Sequence, residues 1–161
     1  MVSNVYLPFS RFVRGGSMSA VFRYDKLAIK CPLGVVSRES DSEDVRSYFM
    51  DENRMQEALH AAGVNVSRVY GIEDVNAQLA DGTIVSTYGI VMDFINGIRL
   101  SDLPRREGRK NQVSMKNLEL ELSVKLGFKP ALDAYTDSNS IWSFDDGKVY
   151  LIDFGNWEFQ K

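Results

Sequence analysis

The chain of 161 residues contains one cysteine, Cys31, and one histidine, His60. A single cysteine excludes an internal disulfide and a cysteine-built metal site, and a single histidine excludes a cluster of histidine ligands. The chain also lacks an excess of positive charge, since 19 basic and 22 acidic residues give a formal net charge of −3. That balance argues against a protein that binds nucleic acid by bulk electrostatic attraction.

Long apolar runs are absent as well. No segment approaches the ~20 consecutive apolar residues that a membrane-spanning helix needs. The N-terminus also lacks the basic-then-apolar layout of a secretory signal. We therefore expect a cytoplasmic protein that does not act at a membrane. The chain length predicts one domain with a core that needs no covalent staple.

The order of the sequence patterns predicts an α+β fold. Ser40 and Glu43 have the spacing of a helix capping box, and Gly63 stands where a helix C-cap is expected. Alternation, helical spacing and turn residues predict the following elements: strands over 6–13, 20–24, 27–31, 68–79 and 84–94, helices over 40–62 and 114–126, and a hairpin over 140–144 and 148–152.

Glu52 is out of place on the apolar face of the first predicted helix. A carboxylate at such a position is costly unless a cation meets it. Lys30 is the natural cation, because alternation along the strand 27–31 puts Ala28 and Lys30 on the face opposite Ile29. The alternative is that Glu52 reaches water at a loose helix edge and that Lys30 lies on a solvated strand face.

Small residues and loop carboxylates form two further patterns. Gly15, Gly16 and Ser17 join the first two strands, and such residues let backbone N–H groups approach a phosphate. A plain turn explains them equally well. Asp153 ends an apolar strand and is followed by Phe154 and Gly155, which suits an oxygen ligand for Mg²⁺.

A cluster of polar residues precedes the final hairpin. Asp133, Asp137 and Asn139 stand close together there, and they are either functional groups or ordinary turn formers.

Taken in this order, the pieces resemble the protein-kinase-like fold, whose signature is a Gly-rich loop, a strand Lys, a helix Glu, a loop Asp and Asn, and Asp-Phe-Gly. The segment 15–22 resembles the glycine loop, and 28–30 resembles the end of Val-Ala-Ile-Lys. The resemblance covers about residues 6–155. It implies a five-stranded N-terminal lobe with one helix over 1–95 and a much reduced C-terminal lobe over 96–161.

The resemblance also implies ATP and Mg²⁺ as cofactors and a role for each site residue. Met92 would be the gatekeeper, and the hinge backbone of Asp93 and Ile95 would bind adenine. The implied nucleotide contacts are Gly15, Gly16, Ser17, Val21, Ala28, Lys30, Met92, Asp93 and Ile95. The implied catalytic residues are Lys30, Glu52 and Asp133, and the implied metal ligands are Asn139 and Asp153.

Several positions depart from the kinase pattern. Ala131, Leu132 and Asp133 replace His-Arg-Asp, and five residues rather than four separate Asp133 from Asn139. Either the loop carries one extra residue or Asp137 takes the role of the base. Because only residues 156–161 follow Asp-Phe-Gly, the chain resembles the minimal kinase-like proteins of the bacterial-effector and phage type. Delivery into a host cell, or synthesis within one, would suit that resemblance.

These patterns favour one function and leave others open. The first is transfer of the γ-phosphate of ATP to a Ser, Thr or Tyr of a protein substrate. The second is a pseudokinase that captures a partner protein. The third is a kinase-fold enzyme with a non-protein substrate, and an α+β domain of unrelated function remains the plainest reading.

Overall fold

The computed structural model describes residues 5–15, 19–33, 43–104 and 108–160. The predicted site residues Gly16 and Ser17, and the predicted helix cap Ser40, lie outside these ranges. The helices are α1 (Glu43–Ala61) and α2 (Gly108–Lys125). The strands within the described ranges are β1 (Val5–Leu7), β2 (Phe12–Gly15), β3 (Ala20–Tyr24), β4 (Leu27–Cys31), β5 (Val69–Gln78), β6 (Ile84–Asp93), β7 (Gly97–Arg99), β8 (Phe128–Lys129), β9 (Ser140–Ser143), β10 (Val149–Leu151) and β11 (Glu158–Phe159).

Two compact units divide the chain. The first comprises residues 1–53 and 69–94, and the second comprises 54–68 and 95–161. The lobes expected over 1–95 and 96–161 remain a prediction, and the compact units differ from them chiefly in assigning 54–68 to the second unit. Neither helix is long and apolar enough to cross a membrane, a finding that covers the described residues.

The first unit is built on a sheet with the strand order β1-β5-β6-β4-β3-β2. Strand β1 runs parallel to β5, and the other neighbouring pairs are antiparallel. One face packs a cluster that includes Phe22, Ile29 and Val91. A second cluster contains Phe49 of α1 with Tyr88 and Ile90 of β6. Strand β4 is an internal strand of the sheet, with β3 paired on one side and β6 on the other.

This sheet has six strands in the described residues, so the expectation of five was wrong. The predicted strand over 6–13 is divided into β1 and β2, which lie at opposite edges of the sheet. Pro8 and a 3-10 helix (Phe9–Arg11) separate the two pieces. Proline has no N–H to donate to a strand ladder, so it commonly marks a point where strand pairing is interrupted.

Helix α1 follows the predicted pattern. Gly63 has φ +91°, and its N–H donates to the carbonyl oxygen of His60, which ends the helix as predicted. Phe49 packs in the first unit, whereas Met55 and Leu59 pack in the core of the second. One helix therefore supplies side chains to both cores.

The second unit contains α2, a sheet of order β10-β9-β7 and the β8–β11 ribbon. Its core includes Leu120, Phe128, Leu151, Phe154 and Trp157. Helix α2 begins six residues before the predicted start at 114. The apolar periodicity that predicted it is missing from its polar first turns, so the prediction began too late. The hairpin β9–β10 matches the predicted one closely.

Candidate active site

The Lys30 side chain meets that of Glu52 within the first unit. Lys30 Nζ lies 2.5 Å from Glu52 Oε1. Lys30 is 8% exposed and Glu52 is 1% exposed. Both alternatives weighed for these residues, a solvated strand face and a carboxylate that reaches water, are therefore wrong.

The strand register explains why Lys30 lies where it does. Lys30 of β4 stands opposite Val21 of β3 on one side and opposite Ile90 of β6 on the other. Its ammonium also lies 5.9 Å from the centre of the Phe49 ring of α1. A ring face attracts a cation, so the helix contributes to holding Lys30 through both Glu52 and Phe49.

Four of the predicted nucleotide contacts, Lys30 among them, lie on one face of the sheet. Val21 is directly across from Lys30, and Met92 is directly across from Ala28. Residues that face each other across a ladder point to the same side, so Val21, Ala28, Lys30 and Met92 line one face. Val21 and Ala28 are buried, and Met92 is half-buried. The face thus combines a buried ammonium with small and flexible apolar groups.

The predicted hinge and glycine-loop residues are placed as follows. Asp93 ends β6, and its carboxylate accepts a hydrogen bond of 2.7 Å from the Tyr70 hydroxyl. The N–H of Phe94 donates to the carbonyl oxygen of Lys26. Ile95 begins the last part of the second unit. Gly15 is the final residue of β2 and pairs with Ala20.

The predicted metal ligands stand on two backbone segments of the second unit that are hydrogen-bonded to each other. The N–H of Ile152, the residue before Asp153, donates to the backbone carbonyl of Asn139 at 3.1 Å. Asp153 itself has φ +64°, a left-handed conformation that is uncommon outside glycine and that Asp tolerates better than most residues. Strained backbone of this kind is concentrated at functional sites.

The chemistry of these donors suits Mg²⁺. A carboxylate and a carboxamide offer oxygen atoms, and Mg²⁺ in nucleotide enzymes is commonly held by one or two carboxylates together with substrate phosphates. Asn139 and Asp153 are donors of this chemical kind. The described residues contain no cluster of three or more His, Cys, Asp or Glu that could hold a metal ion.

Asp137 is engaged by two cations. Lys116 Nζ donates to Asp137 Oδ1 at 2.7 Å, and the Arg109 guanidinium donates to Oδ2. The hydrogen bond from Lys116 is the main cause that lowers the pKa of Asp137, and Arg109 lowers it further against the opposing effect of burial. A carboxylate held in this way is a poor proton acceptor.

Asp133 has different surroundings. It lies in the first turn of a 3-10 helix (Leu132–Tyr135), where it is exposed. Its backbone carbonyl accepts hydrogen bonds from Asn139 Nδ2 at 3.1 Å and from Thr136 Oγ1 at 2.7 Å. The loop therefore closes on Asp133 through its backbone carbonyl, while the residue as a whole is exposed.

A cavity of about 440 Å³ opens beside Asp133 within the second unit. It is lined by Lys129, Pro130, Ala131, Leu132, Asp133, Asn156 and Glu158. The side chains of Lys129 and Glu158 pair with each other at 3.2 Å. The sequence predicted none of this cavity, because its walls come from segments more than twenty residues apart.

Lys116 and Arg109 are residues that the sequence analysis missed. Lys116 is 2% exposed and lies on the buried face of α2 with Leu120 and Ser123. This is the same signal that singled out Glu52, a charged residue on the inward face of a helix. Applied to α2, that reasoning would have found Lys116.

No family model and no curated protein matches the chain. Among solved structures, WbdD in a co-crystal with the kinase inhibitor LY294002 is similar, with 17% identity and a TM-score of 0.57 over 92% of this chain and 33% of that chain. Another WbdD crystal structure has 15% identity and a TM-score of 0.59 over 92% of this chain and 32% of that chain. The chain thus spans about one third of the length of these neighbours. At this identity the likeness shows the fold, which is kinase-like.

Proposed function

We propose that the protein is an ATP-dependent phosphotransferase with a kinase-like fold. The observation that carries this proposal is the buried Lys30–Glu52 ion pair, held on a sheet face with Val21, Ala28 and Met92. Burying two charges is costly, and well-packed apolar residues often stabilise a fold as well or better. A buried ammonium on such a face therefore favours a role in binding an anion.

Most of the proposed nucleotide contacts belong to the first unit, whereas Ile95 belongs to the second. Glu52 holds the Lys30 ammonium in place, and the ammonium binds the α- and β-phosphates. Ala28 and Met92 contact the adenine ring, and the backbone of Asp93 and Ile95 forms its hydrogen bonds. Backbone N–H groups at Gly15, Gly16 and Ser17, together with the Val21 side chain, complete the nucleotide contacts.

The second unit would provide the remaining chemistry. Asn139 and Asp153 would hold Mg²⁺, which would offset negative charge on the phosphates when bound. Asp133 accepts the proton of the acceptor hydroxyl. The bond from the γ-phosphorus to the β,γ-bridging oxygen breaks, a bond from phosphorus to the acceptor oxygen forms, and ADP leaves. Asp133 takes this role rather than Asp137, because both oxygens of Asp137 already accept hydrogen bonds from cations.

The acceptor that we propose is a Ser, Thr or Tyr hydroxyl of a protein. A second candidate function, a pseudokinase that captures a partner, is favoured by one specific observation. Five residues rather than four separate Asp133 from Asn139, and Leu132 rather than arginine precedes Asp133. Nucleotide binding without phosphate transfer would be the outcome of that alternative.

Thermal unfolding with and without Mg·ATP tests the binding step. A ligand at one hundred times its Kd stabilises the folded state by about 2.7 kcal/mol, so we expect a clear rise in Tm for the wild type. Lys30→Met should abolish that rise, measured against the variant's own baseline. Lys26→Met, in the exposed turn before β4, is the matched control and should keep the rise. A wild type that Mg·ATP does not stabilise would overturn the proposal.

Transfer of labelled γ-phosphate tests the chemical step. A mixture of Ser-, Thr- and Tyr-containing peptides serves as acceptor. Asp133→Asn should lose transfer by about 100-fold or more while it keeps the Mg·ATP stabilisation, because the base acts on the acceptor rather than on the nucleotide. Asp137→Asn should keep a larger share of transfer. Stabilisation without transfer in the wild type would favour the pseudokinase.

A further inference from the structure

Lys116 is a buried cation on the inward face of α2. It is 2% exposed, and its ammonium donates to the backbone carbonyl of Tyr135 at 2.9 Å and to Asp137 Oδ1 at 2.7 Å. Both acceptors belong to the segment 133–139, which contains Asp133 and Asn139. The helix is therefore fastened to the middle of this segment by one side chain.

Arg109 adds a second attachment from the first turns of the same helix. Its guanidinium donates to the other oxygen of Asp137 and also contacts the carbonyl oxygen of Leu103 at 3.5 Å. The two cations therefore contact different oxygens of the same carboxylate. A charged hydrogen bond is roughly twice as strong as a neutral one, so these contacts hold the segment firmly.

The segment is also closed at both of its ends. Thr136 Oγ1 and Asn139 Nδ2 donate to the carbonyl oxygen of Asp133. Residues 135 and 137, which Lys116 holds, lie between the proposed base and the proposed metal ligand. Movement of the middle of the segment would therefore displace both functional side chains.

We infer that Lys116 is the positioning residue of this segment: through Tyr135 and Asp137 it sets the orientation of Asp133 and Asn139. The inference rests on the proposed function for the roles of those two residues. The attachment itself rests on the contacts of Lys116 alone. Lys116 touches neither nucleotide nor acceptor in this scheme, so it acts through the residues that do.

Hydrogen exchange of the 161-residue chain tests the attachment. Lys116→Met should raise the exchange rate of peptides covering 132–140 by about tenfold or more, as expected when a charged hydrogen bond is lost. Peptides from β4 and α1 should exchange as in the wild type. Lys116→Arg should restore most of the protection, because a cation can again reach Asp137. Lys125→Met, an exposed position at the other end of α2, is the matched control and should change nothing in 132–140.

Metal dependence tests the functional consequence. Residues that orient a ligand commonly change metal affinity by about 10- to 100-fold when they are replaced. We expect Lys116→Met to need about tenfold more Mg²⁺ for half of the ATP-dependent rise in Tm, while the rise with ADP in the absence of Mg²⁺ stays unchanged. A general loss of stability would lower both responses, so the difference identifies positioning.

The outcomes separate the two proposals. Wild-type exchange and wild-type Mg²⁺ dependence in Lys116→Met would overturn the inference, whatever the nucleotide does. If Mg·ATP does not stabilise the wild type, the proposed function fails, and the exchange of 132–140 alone decides whether Lys116 holds the segment. Should Lys116→Met not fold, Asp137→Asn removes the same charged contact with little change of shape and should raise exchange in the same peptides.

Discussion

At the scale of single residues, the Lys30–Glu52 pair shows how a costly contact becomes informative. Neither charge is stable alone in the apolar surroundings of Phe49 and Ile90. The pair is buried between an internal strand and a helix, at 8% and 1% exposure. Apolar residues of similar volume often stabilise a core as well as a buried ion pair does, or better. The presence of the pair therefore supports the proposed role of Lys30 in binding phosphate.

Replacing one partner of this pair should be worse than replacing both. Lys30→Met leaves the Glu52 carboxylate buried without its cation, and we expect a loss of about 3–5 kcal/mol of unfolding free energy. The double variant Lys30→Met with Glu52→Leu should recover most of that loss. Urea denaturation followed by circular dichroism measures both, with Lys26→Met as the control. A double variant as unstable as Lys30→Met would contradict this account.

The carboxylate of Asp137 predicts a pH dependence of stability in acid. Its folded-state pKa lies below the ordinary value, chiefly because Lys116 donates a hydrogen bond to it. The unfolded chain therefore binds the proton more readily, so the stabilisation is fully present above about pH 4 and is lost as the pH falls through the folded-state pKa.

Denaturation free energies between pH 2.5 and pH 6 measure this effect. The wild type should lose stability more steeply below about pH 4 than Asp137→Asn, which cannot titrate at this position. Above about pH 4, the difference in unfolding free energy between the wild type and Asp137→Asn should no longer change with pH. Parallel curves throughout acid would show that Asp137 does not have the lowered pKa.

At the scale of elements, local patterns found the long elements and the β9–β10 hairpin but missed three of the shortest strands. The helix α1 and the strands β5 and β6 have enough residues for their periodicity to be visible. The strands β7, β8 and β11 have two or three residues each, so they have no period to detect. They are strands because of their partners: Ile98 pairs with Trp142, and Glu158 pairs with Lys129.

Gly97 shows how such a partner constrains the sequence. A Cβ atom built on Gly97 would lie 2.1 Å from the carbonyl oxygen of Trp142 in β9. The ladder must shift to accept any side chain there, and overpacking of this kind costs about 1–3 kcal/mol. Gly97→Ala should therefore lower the denaturation midpoint, whereas Ser101→Ala, an exposed position after β7, should leave it unchanged. A fully stable Gly97→Ala would place β7 farther from β9.

At the scale of the whole molecule, one helix contributes to the cores of both units. Phe49 packs with Tyr88 in the first unit, and Leu59 packs with Trp157 and its neighbours in the second. Both tryptophans of the chain belong to the second unit. Tryptophan fluorescence therefore reports the second unit, while circular dichroism reports helices and strands of both.

We expect damage to the first core to reach the second through α1. Phe49→Ala removes a side chain that is 1% exposed, and such replacements cost about 3–5 kcal/mol. The denaturation midpoint should fall equally by fluorescence and by circular dichroism. Met50→Ala, the next residue and 41% exposed, is the control. A fluorescence midpoint that stays at the wild-type value in Phe49→Ala would show that the units unfold independently.

The amino-acid sequence by itself determined the α+β order of the long elements, and it offered the meeting of Lys30 with Glu52 as one of two interpretations. Helix periodicity placed Glu52 on an apolar face, and strand alternation placed Lys30 on the face opposite Ile29. Only the tertiary structure distinguished Asp137 from Asp133, because the cations that hold Asp137 come from α2, 21 and 28 residues away. It likewise divided the first predicted strand between two edges of the sheet. Both outcomes depend on contacts between residues that are distant in the sequence. Local hydrophobic periodicity contains no information about such contacts.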